Sequence, residues 1–187
     1  MGAIIPYQVI SKSGHEILLR SATLLDTKAV LRLSYQVISE NDTLVTTIGE
    51  FNVTEEQQRS FITMYNDDPS NVMIVAEYNR NIIGVLTFQR GMLQKYFHHG
   101  SIGMIVKKTW RSSGIGTALL TTFLEWADYQ PLLEKLCLDV LASNEKAIAL
   151  YNKLGFIEEG RQKNQVKIAN GHYEDLIIMG KFLNFEP

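Results

Sequence analysis

The sequence holds a single cysteine, Cys137, which excludes an internal disulfide and a cysteine-cluster metal site and makes a reducing cytoplasm the expected compartment. Proline is scarce at 4 residues, and 13 glycines are too few for a collagenous or low-complexity chain. No apolar run approaches the ~20 residues a membrane helix needs. Met1 to Pro6 lack the basic start and apolar core of an export signal, and Pro6 stands where a myristoylation signal needs Ser or Thr. An excess of one charge is also missing. With 18 Lys plus Arg against 20 Asp plus Glu the net charge is -2, too little to attract nucleic acid or an anionic membrane, and neither is an expected partner. The adjacent His98 and His99 would leave a strand on opposite faces, so no metal is expected there.

What is present is a globular composition, 45% apolar and 20% charged over 187 residues, which fits one domain spanning 1–187. Ile17 to Arg20 reads as a short strand, followed by a helix from about Leu25 to Ile38 in which Val30, Leu33 and Val37 recur at helical spacing. Thr54 to Gln57 has the form of a capping box and starts a second helix running to about Tyr65. Val72 to Glu77 and Ile82 to Phe88 form a predicted hairpin around Tyr78 to Asn81, and His99 to Val106 is a further strand. Ile115, Leu119, Phe123 and Trp126 share a helix face, Leu136 to Val140 is a buried strand, and Ala147 to Leu154 is a helix ended by Gly155. Two last strands flank Asn170-Gly171. The order predicts an α/β (α+β) fold, a mixed sheet with helices packed on it.

The informative stretch is Arg111-Ser112-Ser113-Gly114-Ile115-Gly116-Thr117, placed between a strand ending at Val106 and a helix. N–H groups in the first turn of a helix have no internal partner and carry the positive end of the macrodipole, which makes an anion site. Gly114 and Gly116 remove side chains that would hold a phosphate away from the backbone. Neither the Gly-Lys-Ser/Thr of a Walker loop nor a Gly-x-Gly-x-x-Gly turn with a distant acid is present. A pyrophosphate cradle and a glycine-softened helix entry both account for this string.

Arg111 to Gly116 matches the Arg/Gln-x-x-Gly-x-Gly/Ala signature of the GNAT family of N-acetyltransferases. The run Leu138 to Phe156 resembles that family's strand-Asn-helix-Tyr-x-x-x-Gly-Phe block. Gly171-x-Tyr173-x-Asp175 with Met179 is similar to the ending of bacterial enzymes that acetylate ribosomal proteins or free amino acids. The resemblance is strongest over residues 70–183. It implies a central sheet splayed between the fourth and fifth strands, near Val106 and Val140, with helices on both faces, and acetyl-CoA as cosubstrate. The diphosphate would lie on the amides of Arg111, Ser112, Ser113, Gly114, Ile115, Gly116 and Thr117. The pantetheine arm would pair with Met104, Ile105 and Val106, where an N–H near Ile105 would polarise the thioester carbonyl. Asn144 would bind the pantetheine or simply cap its helix.

Tyr151 corresponds to the family's general acid, a phenol that protonates the departing thiolate, and helical spacing also allows it a packing role. Asp139 matches the position of a glutamate base in the ribosomal-protein alanine acetyltransferases and is one methylene shorter, so that a water would have to intervene; a structural role accounts for it equally. Ser101 stands where many relatives carry an acid. The acids Glu40, Asp42, Glu50, Glu55 and Glu56 between the first two helices either attract a cationic amine or form a solvated loop. The expected reaction is direct acetyl transfer to a primary amine, a small molecule or a protein N-terminus, in a homodimer. A non-catalytic acyl-CoA-binding or sensor domain is the rival reading.

Overall fold

The computed structural model describes residues 3–40, 44–168 and 171–183. In chain order the elements are β1 (Tyr7–Ile10), β2 (Glu16–Ser21), α1 (Thr27–Ser39), α2 (Glu55–Asp67), β3 (Val72–Tyr78), β4 (Asn81–Arg90) and β5 (His99–Val106). They continue with α3 (Ile115–Asp128), β6 (Lys135–Leu141), α4 (Glu145–Lys153), β7 (Ile157–Lys167) and β8 (Tyr173–Phe182). The expected α/β fold is observed: one open eight-stranded mixed sheet in the order β1-β2-β3-β4-β5-β6-β8-β7, with helices on it.

Alternation along the strands divides the apolar residues between two cores. Val72, Ile74 and Ala76 of β3 face Leu119, Phe123 and Trp126 of α3 and Tyr151 of α4. Met73 and Val75 face Val30, Leu33 and Val37 of α1 with Ile62 and Tyr65 of α2. Local signals set the ends of elements. Thr54 Oγ accepts the Gln57 N–H at 3.2 Å while Gln57 Oε1 accepts the Thr54 N–H at 2.9 Å, the reciprocal capping box expected at the start of α2. Asn79 and Arg80 both take positive φ, 47° and 61°, as a two-residue hairpin turn between β3 and β4 requires. The expected last hairpin is present as the antiparallel pair β7–β8; Asn170 and the loop acid Asp42 lie outside the described residues.

One strand escapes the sequence reading. β1 is four residues long and mostly exposed, so it carries neither an apolar run nor a buried alternating face. It pairs with β2, and Tyr7 donates to Thr122 Oγ at 2.5 Å, because the Thr122 hydroxyl proton is already given to the Ala118 carbonyl. The extra strand moves the expected splay to β5 and β6. These run parallel and pair only through His99–Lys135, Gly100–Leu136 and Ser101–Cys137. Beyond Ser101, β5 stays paired with β4 alone and β6 with β8 alone, and the sheet opens between them.

Candidate active site

The turn before α3 is built for close approach to its backbone. Ser112 has φ 63° and Gly114, the N-cap of α3, has φ 95°. Alternating left- and right-handed residues turn successive N–H groups to one side. The first bond closed across the helix start is Ala118 N–H to Gly114 C=O, 2.9 Å. The N–H groups of Ser112 to Thr117 have no backbone acceptor among the described residues. Gly114 is required by its φ, since a Cβ there meets only Lys12 Cγ at 3.7 Å. Gly116 packs closely under α4: a Cβ would lie 3.2 Å from Leu150 Cδ2, a tight contact that a small shift of that side chain relieves.

Side chains around the turn serve mainly to hold it. Ser113 Oγ donates to the Trp110 carbonyl at 2.5 Å. Arg111 Nε donates to the Val106 carbonyl at 3.1 Å, and its terminal nitrogen pairs with Glu40 at the end of α1. The guanidinium therefore ties β5, the turn and α1 together. Ile115 contributes its amide only, because its side chain is fully buried in the core.

A cavity of about 530 Å³ opens over this turn and brings together Met104, Ile105, Val106, Arg111, Ser112, Gly114, Gly116, Thr117, Asn144 and Tyr151. It also takes in Val37, Leu44 and Ile105 from the α1 side of the sheet, so it runs through the gap between β5 and β6. Hydrogen bonds from Gly91 N–H to His99 C=O and from Lys107 N–H to Ile83 C=O fix the phase of β5. Its odd-numbered residues bond to β4, and Ile105 stands opposite Val85. The main-chain groups that face the gap belong to Met104 and Val106. The donor expected near Ile105 would therefore be the N–H of Met104 or Val106, since the Ile105 N–H is committed to β4.

Tyr151 is buried on α4, its ring edge-on to Phe156 at 5.9 Å, and its hydroxyl has no hydrogen-bond partner among the described residues. Burial pushes its pKa up to about 12, so the phenol keeps its proton throughout the neutral range. Asn144 caps α4: its Oδ1 accepts the Ala147 N–H at 3.3 Å, and it lines the cavity as well. Asp139 stands apart. Its neighbours Leu138 and Val140 face α3, so Asp139 points to the α1 side, exposed and without an ion-pair or hydrogen-bond partner among the described residues.

The sequence reading missed several wall residues, among them Lys12, Ser143, Lys146 and Leu150. The last three flank the Asn144 and Tyr151 positions and follow from helix periodicity. Lys12 arrives from the β1–β2 turn, which no local signal connects to the cradle.

The family model for the acetyltransferase (GNAT) family matches residues 39–156. The chain belongs to the GNAT acetyltransferase family. Its acetyl donor is accordingly acetyl-CoA, and the free amides, the long cavity and the open strand edge fit a nucleotide diphosphate joined to an extended amide-bearing arm. The chain is similar to the L-amino acid N-acetyltransferase of Escherichia coli (strain K12), 29% identical over 62% of this chain and 70% of that protein. It is also similar to a Vibrio cholerae spermidine N(1)-acetyltransferase, 26% identical over 70% and 76% of the two chains. A GNAT acetyltransferase structure from Streptococcus pneumoniae superposes with a TM-score of 0.86 and 27% identity, covering 90% of this chain and all of that one.

Gly114→Ala tests the backbone cradle. A left-handed non-glycine residue costs about 1–2 kcal/mol, and relaxing it turns the amides on either side. The expected result is about a tenfold rise in Kd for acetyl-CoA by calorimetry, roughly 1.4 kcal/mol, with the fold retained in circular dichroism.

Proposed function

We propose that this acetyltransferase transfers the acetyl group of acetyl-CoA to a primary amine by direct attack while both substrates are bound. The parting of β5 and β6 beyond Ser101 and Cys137 carries this reading, because it opens a passage with Tyr151 on one side of the sheet and Asp139 on the other. In this scheme the amides of residues 112–117 bind the diphosphate, and the Met104 and Val106 main chain pairs with the pantetheine arm and polarises the thioester carbonyl. Asp139, through one water, takes a proton from the ammonium group of the acceptor. The nitrogen lone pair forms the new bond to the carbonyl carbon, the C–S bond breaks, and Tyr151 gives its proton to the departing sulfur. The nitrogen loses its second proton to water, and the phenolate is reprotonated from solvent. Amide, thiol and one proton are the products.

The acceptor is a small molecule or a protein N-terminus. Relatives named for L-amino acids and for spermidine both present a primary amine, and the unpaired carboxylate of Asp139 suits an ammonium group. Release of free CoA across a panel of amino acids, polyamines and peptide N-termini tests the reading; tight acetyl-CoA binding without turnover on any of them would leave a binding module instead.

We further propose a homodimer acting in the cytoplasm. Met92, Leu93, Tyr129 and Leu132 are exposed apolar side chains around the end of the sheet remote from the cradle, an apolar surface that a second copy would cover. The lone thiol of Cys137 suits a reducing compartment. Light scattering of the purified chain should return twice its mass.

A further inference from the structure

The signature arginine of the cradle does not supply its positive charge. Arg111 is held by Glu40 and by the Val106 carbonyl, so its charge is balanced within the protein. A diphosphate seated on the 112–117 amides would bring about two negative charges to a place where α3 offers roughly half a positive one. The β1–β2 turn stands at this point. The Lys12 N–H donates to the Ser113 carbonyl at 2.9 Å, and the Lys12 stem crosses Gly114, its Cγ 3.7 Å from where a Cβ on that glycine would lie. Lys12 lines the same cavity, and among the described residues its ammonium has no ion-pair partner.

The turn that carries Lys12 is fixed. Ser11 N–H donates to His15 C=O and Gly14 N–H to Ser11 C=O, both at 2.9 Å, with Gly14 at φ 81°. His15 packs against Tyr78 and Trp110 with ring centroids 5.0 and 5.4 Å away, and Tyr78 and Trp110 are 4.8 Å from each other. Trp110 closes the loop that leads into the cradle, so the turn and the amides form one unit. A lysine held by its backbone against the cradle, with only its flexible end free, is a positioned counter-charge.

We infer that Lys12, presented by the β1–β2 turn, is a coenzyme-binding residue whose ammonium neutralises the diphosphate of acetyl-CoA on the 112–117 amides. The inference rests on the reading of those amides as the diphosphate site. It is tested with the full chain as Lys12→Ala and Lys12→Arg, measuring Kd by calorimetry for acetyl-CoA and for its analogue lacking the 3′-phosphate, together with KM for S-acetylpantetheine, which has no phosphate.

Lys12→Ala should raise Kd for both coenzymes by about tenfold at low salt, less at 0.5 M salt. It should leave kcat at saturation and the KM for S-acetylpantetheine within about twofold, and Lys12→Arg should restore most of the affinity. An effect that disappears with the analogue would place the ammonium on the 3′-phosphate and overturn the assignment. An equal rise in KM for S-acetylpantetheine would make Lys12 a purely structural residue. Unchanged Kd for Lys12→Ala beside a weakened Gly114→Ala would refute Lys12 alone; unchanged Kd for both would refute the cradle as well.

Discussion

Tyr151→Phe is expected to lower kcat by about 10²–10⁴-fold while acetyl-CoA binds with unchanged affinity. The hydroxyl makes no hydrogen bond among the described residues, so the substitution removes no internal partner and keeps the ring contact with Phe156. Stability should therefore stay within about 1 kcal/mol of the parent. What the proposed scheme loses is the proton for the leaving sulfur. Because burial holds the phenol at a pKa of about 12, it is fully protonated wherever the enzyme is assayed, and its ionisation contributes no alkaline limb to the rate below about pH 11. The same shift acts on folding. The unfolded phenol ionises near pH 10 and the folded one near 12, so the contribution is complete below pH 10 and lost as pH rises toward 12. CoA release under saturation with both substrates measures the effect; a Phe variant that turns over at the parental rate would reduce Tyr151 to a packing residue.

Those parts of the fold governed by near neighbours were legible in the sequence. The β3–β4 turn, the Thr54–Gln57 box and the left-handed Gly155 that ends α4 each depend on a few adjacent residues, and each was placed within a residue or two. The cradle was legible for the same reason, since its amides are contiguous. What stayed hidden depends on pairing across the sheet or on contacts distant along the chain. Arg111 reads as the first amide of the cradle until its N–H is seen to donate to the Lys108 carbonyl at 3.2 Å and its guanidinium to be held by Glu40, 71 residues earlier. Ile105 and Met104 cannot be told apart as donors into the gap without the register of β5 on β4, because a shift of one residue reverses which amides face outward. β1 was missed because an edge strand of four residues makes too little buried surface to leave a pattern, and with it went Lys12.

Asp139→Asn is expected to lower kcat/KM for the amine by about 10²-fold near pH 7, with no change in Kd for acetyl-CoA. The carboxylate and the phenol lie on opposite faces of the sheet, which opens between β5 and β6 beyond Ser101 and Cys137. In the proposed scheme an amine would approach from the α1 side past Asp139, and the sulfur would depart toward α4 and Tyr151. The proposed base and the proposed acid would then act from opposite sides of the reacting carbonyl. An alkyl ammonium has a pKa of about 10, so at neutral pH almost none of the acceptor is nucleophilic without help. Asn cannot take the proton, and the variant must wait for amine deprotonated in solution. Its deficit should therefore shrink by about tenfold for each pH unit gained toward the pKa of the amine, giving a profile steeper than that of the parent between pH 7 and 9. Asp139→Glu, which adds the methylene, should retain activity by reaching the amine directly. A profile for Asp139→Asn that runs parallel to the parent's would remove Asp139 from the chemistry and assign the proton to a chain of waters in the gap.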